Sequence, residues 1–504
     1  MWSIMDKRYD WFSVLESPEL ETWVSKLSSG VILAYEATHS SRGSNKSARD
    51  SSYISISRHI ISALYSATHT RSKEKLWVSF PAAAGNYAIP STTKASVDTT
   101  KIPYSYRHFC DVRDYLIKLE WIKVEPEVTN RRHRLMYPTG ELLHALKRID
   151  LQWLKITPRR PELLVELGDV KRDSNGNPIR NKKFKTKKVL LPVINTPVVE
   201  AYRSRLFDQN TVYTEHCISL SLNDTQLKEL ETAMAAKGVE HRYLDFAQVQ
   251  MTRIFARGKM NKGGRFYQPW WQNIPSAYRK YILIDGESTV ECDYSSMALS
   301  QIYAKMGVSS DGVKDLYDLG LPNWLGRADE RRDIIKKFII SLLNDEDGIY
   351  RLKKSKSLII GLDHDALLDL LYSKHPNLIP HVEEKIGLKL HFEDSGIADS
   401  ILSFFSSRGI VVLPVHDSFL VIKRHEDQLI QIMTRAFQGQ YSSSSPVGID
   451  VDQGVEQLLE PESIMGKYLS SWQNAMPPTQ TLGPNHTSRL TSPSQSKDTS
   501  QALL

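Results

Sequence analysis

The sequence predicts a mixed α+β protein of about three domains. The chain has 504 residues, of which 41% are hydrophobic and 24% are charged, and these fractions are ordinary for a globular protein with a large core. Apolar residues recur at helical spacing within residues 104–119, where Phe109, Val112, Leu116 and Leu119 share one face. Extended, strand-like runs lie at residues 121–124, 289–293 and 409–421. Helices and short strands in one chain together favour the α+β class.

The composition excludes several other classes of protein. The balance of 65 Lys+Arg against 58 Asp+Glu gives a formal net charge of +7, which permits a polyanionic partner without requiring one. No apolar run approaches the length of a membrane span, and the N-terminus resembles neither a signal peptide nor a transit peptide. Cys110, Cys217 and Cys292 form no CxxC pair, so neither a disulfide framework nor a structural zinc is expected. We therefore expect no membrane contact and a cytoplasmic, intracellular location, in a prokaryotic, phage or mobile-element context.

Residues 1–160 are predicted to form an N-terminal region that contains a winged helix. After a first helix over residues 54–68, the pattern gives a helix over 104–119, a strand over 121–124, a basic turn and a strand over 135–137. The turn carries Arg131, Arg132 and Arg134. In a winged helix the helix enters a major groove while the loop arginines contact phosphates. The alternative is an α+β domain with a solvated basic loop.

The rest of the chain divides by composition into three parts. Residues 161–250 are predicted to hold a basic linker and a thumb-like connecting region, because residues 171–188 carry eight Lys/Arg against one Asp together with Gly and Pro. Residues 251–470 carry the chemically informative segments. Residues 471–504, rich in Ser, Thr and Pro, are predicted to be a disordered tail.

Three segments place acidic or basic residues at defined points of strands and helices. Asp293 ends the extended run of residues 289–293, and Asp417 lies at the tip of a hairpin predicted over residues 409–421. A helix predicted over residues 330–344 places Arg332 and Lys336 on one face. Taken singly, each feature has an ordinary explanation, such as a capping aspartate or a solvated helix face.

Taken together, the three segments predict a site for phosphoryl transfer. Two carboxylates at adjacent strand ends can hold two divalent cations, as in-line phosphoryl transfer requires. Mg²⁺ suits such a site because it accepts a few carboxylates together with waters and substrate phosphates, and Mn²⁺ is a possible substitute. The two helical cations would neutralise phosphate charge.

The order of the motifs resembles the core of family A DNA polymerases over residues 253–457. Gly264-Arg265, Gln272-Asn273-Ile274-Pro275, Arg279 and Asp293-Tyr294-Ser295 match that family's GR segment, its QNIP motif, a downstream arginine and its first palm motif. The helix with Arg332 and Lys336 is similar to its fingers helix, and Val415-His416-Asp417 matches its third motif. Ala398-Asp399 and residues 446–454 resemble the helix before that motif and the closing strand.

The resemblance implies a right-hand polymerase palm, which is an antiparallel sheet, with helical fingers in residues 251–470. It implies that Asp293 and Asp417 are the catalytic, metal-binding aspartates, with the carbonyl of Tyr294 as a further ligand. It also implies that Arg332 and Lys336 bind nucleotide phosphates. The residues that it implies contact nucleic acid are Arg265, Gln272, Asn273, Arg279 and His416. The implied partners are a primer–template and nucleoside triphosphates, and the implied cofactor is two Mg²⁺ ions; the sequence indicates no particular protein partner.

Several positions depart from the DNA-synthesising members of that family. Ser418 follows the third-motif aspartate where those members carry glutamate, and Ala298 stands where they carry a glutamate that crowds a ribose 2′-hydroxyl. Ile340 and Asn344 stand where they carry aromatic residues. The His-Asp-Ser-Phe run resembles instead the phage-type single-subunit RNA polymerases, which share the palm. Ala298 and Asn344, expected to line the nucleotide sugar, therefore predict a roomier pocket.

The sequence favours a DNA polymerase, since the QNIP motif belongs to the DNA enzymes, and it leaves two alternatives. One is a DNA-directed RNA polymerase or primase-like ribonucleotide polymerase, which Ala298, Asn344 and Ser418 favour. The other, of a different class, is a catalytically inactive palm that binds nucleic acid. Retention of both aspartates with Arg332 and Lys336 argues against the inactive palm. No proofreading exonuclease domain is recognisable before residue 220.

Overall fold

The computed structural model describes residues 6–8, 15–39, 46–69, 77–81, 104–125, 133–156, 163–167, 189–237, 244–308, 315–322, 327–345, 350–441 and 447–475. These residues form a mixed α+β protein whose sheets are mainly antiparallel, as the sequence predicts. Arg131, Arg132, the basic segment 171–188 and the tail from residue 476 lie outside the described residues, as does the side chain of Arg134. No helix among the described residues is long and apolar enough to cross a membrane.

The N-terminal part packs helices against a four-stranded sheet. Its elements are β1 (Asp6–Arg8), β2 (Leu15–Glu16), α1 (Pro18–Thr38), α2 (Lys46–His69), β3 (Trp77–Pro81), α3 (Tyr106–Lys118), β4 (Ile122–Val124), β5 (His133–Pro138), α4 (Gly140–Arg148) and β6 (Lys155–Ile156). The described strands of the sheet have the order β1-β3-β5-β4, and β5 is antiparallel to both of its neighbours. The predicted helix–strand–strand order is therefore confirmed as α3, β4 and β5.

The apolar spacing of α3 determines which face it buries. Phe109, Val112 and Leu116 are fully buried, as expected for residues three and four apart on a helix that covers a core. Tyr53 of α2 donates a hydrogen bond to Asp111 at 2.7 Å and so joins the polar flank of α3 to α2. The helix predicted over residues 54–68 is the interior of α2, which begins earlier, at Lys46.

Two further sheets form the rest of the structure. The elements that lead into them are β7 (Leu163–Leu167), β8 (Val189–Pro192), α5 (Pro197–Glu215), β9 (Ile218–Leu220), α6 (Asp224–Lys237), β10 (Thr252–Ala256), β11 (Lys259–Tyr267) and α7 (Ser276–Arg279). The described strands of one sheet have the order β11-β10-β7-β8. Residues 161–250, predicted to be a linker and connecting region, thus contribute β7 and β8 to this sheet and β9 to the other.

The remaining elements surround the second sheet. They are β12 (Ile282–Ile284), β13 (Glu287–Tyr294), α8 (Met297–Lys305), α9 (Ala328–Asn344), α10 (Lys354–Ile360), α11 (His364–Lys374), α12 (Ile379–Glu383), α13 (Gly387–Ser406), β14 (Val412–Val415), β15 (Ser418–Ile422), α14 (Glu426–Tyr441), β16 (Ile449–Gln453) and α15 (Ile464–Ala475). The described strands follow the order β14-β15-β13-β12-β9, and β16 also pairs with β13. β13 is therefore the strand on which the sheet is organised.

A separate helical layer lies beside this sheet. Ile334, Phe338 and Leu342 of α9 share a buried apolar cluster with Leu299 of α8 and Leu367 of α11. These α9 residues recur every four positions, so the opposite face of α9 is left for polar side chains. The layer therefore fixes which way Arg332 and Lys336 face.

Two buried ion pairs hold α13 against the β10–β11 hairpin. Asp399 accepts hydrogen bonds from Arg205 at 2.7 Å and from Arg253 at 3.3 Å, and Arg253 is only 1% exposed. One and a half turns earlier on α13, Asp394 forms an ion pair with Arg265 of β11. Because buried charges are tolerated only when paired, these contacts specify how α13 sits on the hairpin.

The first residues of the predicted disordered tail are helical. Residues 471–475, expected to be disordered, form the last turn of α15. The helix continues through these residues because Tyr468 is buried and Trp472 packs against the main core. The Ser/Thr/Pro-rich composition alone does not predict these apolar contacts.

Removing the carboxylate of Asp399 should destabilise the fold strongly. Asp399→Ala leaves the buried Arg253 guanidinium without its ion pair, and breaking a buried pair in this way costs about 3–5 kcal/mol. As a control, Glu287→Ala breaks the exposed ion pair with Arg424, where a loss of at most about 1 kcal/mol is expected. Urea unfolding measures both, and equal stability of the two variants would contradict the role assigned to Asp399.

Candidate functional site

Asp293 and Asp417 come together at the ends of two neighbouring strands. Asp293 of β13 pairs with Ser418 of β15, and Asp417 immediately precedes Ser418. The Tyr294 N–H donates a hydrogen bond to the Asp417 carbonyl at 3.4 Å. The antiparallel register therefore brings together two carboxylates that stand 124 positions apart in the chain.

The turn that carries Asp417 is tight. β14 and β15 are joined by His416 and Asp417 alone, and His416 has φ of 62°. Two-residue hairpins require such left-handed backbone, which is uncommon outside glycine. Non-glycine residues held in this region are concentrated at functional sites, and this one presents Asp417 at the tip of the hairpin.

The surroundings of Asp293 strongly perturb its pKa. Burial and the neighbouring charge of Asp417 raise the pKa of Asp293 from 3.8 to about 7, while Lys336 acts in the opposite direction. Glu291 and Asp450 add to the negative charge around Asp293, and Asp450 of β16 stands directly opposite it. A carboxylate with such a pKa is poised to exchange its proton for a bound cation near neutral pH.

The predicted cations lie on the polar face of α9. Arg332 forms an ion pair with Asp315 at 2.5 Å, and Asp315 also accepts hydrogen bonds from Ser296 and from the Tyr317 N–H. The Tyr317 ring lies 5.5 Å from the Arg332 guanidinium and 6.0 Å from the Lys336 ammonium. Lys336 is exposed and makes no ion pair among the described residues, so its charge is available to an anion.

A small pocket links Asp417 to the predicted sugar-binding residues. Its lining includes Asp417, Lys336, Ala298 and Asn344. The Asn344 side chain is partly engaged, because its Nδ2 donates to the Ile340 carbonyl at 2.8 Å. It also lies directly against Gly387, where any side chain would collide with it. Three of the four residues that the sequence assigned to the nucleotide thus line one pocket, and Arg332 is not among its lining residues.

Three residues predicted to contact nucleic acid have partners within the protein. Arg265 is paired with Asp394, and Arg279 is paired with Glu291 at 2.8 Å. Gln272 donates its Nε2 to the Pro414 carbonyl at 2.9 Å and so anchors β14. These contacts place the three side chains around the β14–β15 hairpin.

The remaining predicted nucleic-acid residues are less constrained. Asn273 is half-buried in the loop after Gln272. His416 is half-buried, and its Nδ1 has no hydrogen-bond partner among the described residues. The rings of His416 and Tyr267 meet edge to face, with their centroids 5.6 Å apart. Burial and the nearby charge of Arg265 lower the pKa of His416 to about 4, so the imidazole is neutral at physiological pH.

Several residues of the site were not predicted from the sequence. Asp315, Tyr317, His391, Asp394 and Glu291 all contact or adjoin the predicted residues. Glu291 carried a usable signal, because residues two apart on a strand share a face and Glu291 precedes Asp293 by two. The other four come from segments whose proximity depends on the tertiary fold.

The donor set suits Mg²⁺ better than a metal held by protein side chains alone. Asp293 and Asp417 supply two carboxylates at neighbouring strand ends. Among the described residues, no group of three or more His, Cys, Asp or Glu side chains is arranged to hold a metal. A cation here would complete its shell with waters and phosphate oxygens, as Mg²⁺ commonly does.

Comparison with known proteins gives distant structural similarity alone. No protein-family model matches the chain, and no curated protein matches its sequence. Among solved structures, the POL domain of Pol1 from M. smegmatis in complex with DNA primer-template and dNTP matches with a TM-score of 0.29 and 13% identity, over 48% of this chain and 51% of that chain. The chain thus spans about half of that structure, and so distant a similarity carries no argument about function.

Asp293 should make the stability of the metal-free protein depend on pH. Folding raises the pKa of Asp293 from 3.8 to about 7, so the folded state holds a proton that the unfolded chain has released. The resulting loss of stability develops as the pH rises from about 4 to about 7 and is complete above that range. In EDTA, the melting temperature of Asp293→Asn should therefore exceed that of the wild type by a margin that grows across this interval.

Adding Mg²⁺ should reduce that margin at pH values above the interval, because the cation offsets the charge on Asp293. Thermal unfolding at several pH values, with EDTA or Mg²⁺, measures the effect. Parallel pH profiles for the two proteins in EDTA would show that Asp293 is not perturbed as described.

Proposed function

We propose that the protein is a template-directed nucleic-acid polymerase that extends a primer by two-metal phosphoryl transfer, and that DNA is its product. The observation that carries this proposal is the juxtaposition of two carboxylates with a pair of helical cations. Asp293 and Asp417 meet at adjacent strand ends, and Lys336 lines the same pocket as Asp417. The motif order found in the sequence independently supports the same chemistry.

The chain's own residues would divide the reaction between them. Asp293 and Asp417 would hold two Mg²⁺ ions, with the Tyr294 carbonyl beside them. When bound, such ions activate the attacking oxygen and stabilise the leaving one. Lys336 would bind the triphosphate and stabilise the charge that develops during transfer. Arg332 would do the same after exchanging Asp315 for phosphate oxygens, which suit a guanidinium fork equally well.

The primer–template would approach the β14–β15 hairpin, where Gln272, Arg279 and Arg265 already surround His416. A neutral His416 with an unpartnered ring nitrogen can donate or accept a hydrogen bond at the primer terminus. Asn273, half-buried beside Gln272, would contact the primer–template as the motif implies. Fixed side chains of this kind orient a duplex without reading its sequence.

The N-terminal part would add a second contact to nucleic acid. The order of α3, β4 and β5 agrees with a winged helix, in which Arg131, Arg132 and Arg134 would lie in or beside the wing. Phosphate contacts from such a loop add affinity that does not depend on sequence.

Ribonucleotide synthesis, by a DNA-directed RNA polymerase or primase-like enzyme, is the second candidate function. Ala298 and Asn344 favour it, because both line the pocket and neither is bulky enough to crowd a 2′-hydroxyl. An inactive palm that only binds nucleic acid is disfavoured, because the chain keeps both aspartates at adjacent strand ends together with Arg332 and Lys336.

Asp417→Asn should abolish primer extension without unfolding the protein. Losing the carboxylate removes a predicted ligand of the ions that stabilise the transition state, so kcat should fall by about a thousandfold or more. Glu287→Gln, at the far end of β13, is the matched control and should extend primers normally. Primer extension with Mg²⁺ or Mn²⁺, offering dNTPs and NTPs separately on DNA and RNA templates, is the test. Near-normal synthesis by Asp417→Asn would refute the assignment.

Lys336→Ala should separate nucleotide binding from duplex binding. Its exposed ammonium faces the pocket, so its loss should raise the KM for nucleotide and lower kcat together. The affinity for primer–template, measured by fluorescence anisotropy, should stay nearly unchanged. A variant that loses the duplex but keeps its nucleotide KM would contradict the role of Lys336.

Selection of the sugar should be weak in the wild-type protein. Ala298 offers only a methyl group to the pocket. We therefore expect kcat/KM for ribonucleotides to lie within about a hundredfold of that for deoxynucleotides, which is a difference in activation free energy of roughly 2.7 kcal/mol. Ala298→Glu should widen the preference for dNTPs. The ratio of kcat/KM for dATP and ATP measures both, and strong rejection of ATP by the wild type would mean that another residue excludes the hydroxyl.

A further inference from the structure

Glu291 is a nearly buried carboxylate that the proposed chemistry does not use. It stands two residues before Asp293 on β13, on the same face of the strand. Its side chain is 11% exposed. A charge at such a position persists only if it is hydrogen-bonded, and each of its two oxygens has its own partner.

The two partners of Glu291 join it to opposite sides of the site. Ser418 donates its hydroxyl to one oxygen at 2.7 Å, and the Arg279 guanidinium donates to the other at 2.8 Å. Ser418 Oγ also lies 3.2 Å from the Val415 carbonyl. Val415 and Ser418 are the residues that flank the His416–Asp417 turn, so this one hydroxyl contacts both ends of the turn.

The turn needs such a restraint because the two aspartates repel one another. With both ionised, that repulsion favours any movement that takes Asp417 away from Asp293. A hydrogen bond to a charged acceptor is roughly twice as strong as one between neutral groups. A glutamate at position 291 therefore restrains the turn more firmly than a glutamine would. Arg279 offsets the charge that Glu291 would otherwise add to the site.

We propose that Glu291, acting through Ser418, is a positioning residue that holds the hairpin tip so that Asp417 stays beside Asp293 and a divalent cation can bind both. This inference rests on the proposed polymerase function and deepens it. The family resemblance expects a glutamate at position 418, where this chain has Ser418. The carboxylate of Glu291, on the neighbouring strand, contacts the turn through the Ser418 hydroxyl instead. Arg279 then affects the site indirectly, because its positive charge is paired with Glu291.

Ser418→Ala, Ser418→Thr and Ser219→Ala in the full-length protein test the proposal. The first removes the hydroxyl, the second restores it on a slightly larger side chain, and the third removes the hydroxyl of another buried serine in the same sheet, on β9. Mn²⁺ affinity, measured by electron paramagnetic resonance without substrates, is the first readout. The second readout is kcat and nucleotide KM in primer extension.

For Ser418→Ala we expect Mn²⁺ affinity and kcat each to fall by about tenfold, comparable with the loss of a residue that orients a metal ligand without binding the metal. The nucleotide KM and the melting temperature should stay close to those of the wild type. Ser418→Thr and Ser219→Ala should both resemble the wild type. Adding Glu291→Gln to Ser418→Ala should weaken Mn²⁺ binding no further than the more severe of the two single changes, because the two residues act as one unit.

The proposal is overturned if Ser418→Ala binds Mn²⁺ as tightly as the wild type, or if Ser418→Thr is as impaired as Ser418→Ala. The two levels of inference remain distinguishable. A wild type that binds Mn²⁺ but synthesises nothing refutes the polymerase function, and the Mn²⁺ measurements still decide the role of Glu291.

Discussion

The site depends on holding two carboxylates side by side although they repel each other. Asp293 lies near the end of one strand and Asp417 precedes another, and burial together with the charge of Asp417 raises the pKa of Asp293. Glu291 and Asp450 add negative charge beside Asp293, whereas other neighbouring features fix the pair or offset its charge. The β13–β15 register brings the two residues together, and the tight turn holds Asp417 at the tip of its hairpin. Lys336, on α9 of the helical layer, supplies positive charge near Asp293.

Charged pairs also fix the frame around the site. Asp394 and Asp399 of α13 pair with arginines of the β10–β11 hairpin, and Asp315 pairs with Arg332. In each case an arginine from one segment meets an aspartate from another. Since a buried charge without a partner is costly, these pairs admit few alternative arrangements of the helices. They also explain why so many arginines near the site have partners within the protein.

This arrangement changes how the arginines should be understood. A basic residue near the active site of a nucleic-acid polymerase is expected to contact nucleic acid directly, and Arg265 and Arg279 were predicted on that basis. In the structure both are engaged with buried carboxylates. The two arginines would therefore affect substrate binding in part through the shape and charge of the β14–β15 hairpin that they support. Lys336 is exposed and makes no ion pair among the described residues, so it can contact a substrate directly.

The sequence by itself determined the local elements and the order of the motifs. The spacing of Phe109, Val112 and Leu116 specified α3, and residues 409–421 specified the hairpin with Asp417 at its tip, because periodicity and turn chemistry are local properties. Only the tertiary structure decided which charges are paired. Nothing near Arg332 or Arg279 in the chain marks Asp315 or Glu291 as its partner, because ion pairing depends on separations of a few ångströms between segments that are brought together only when the sheet and its helical layers pack.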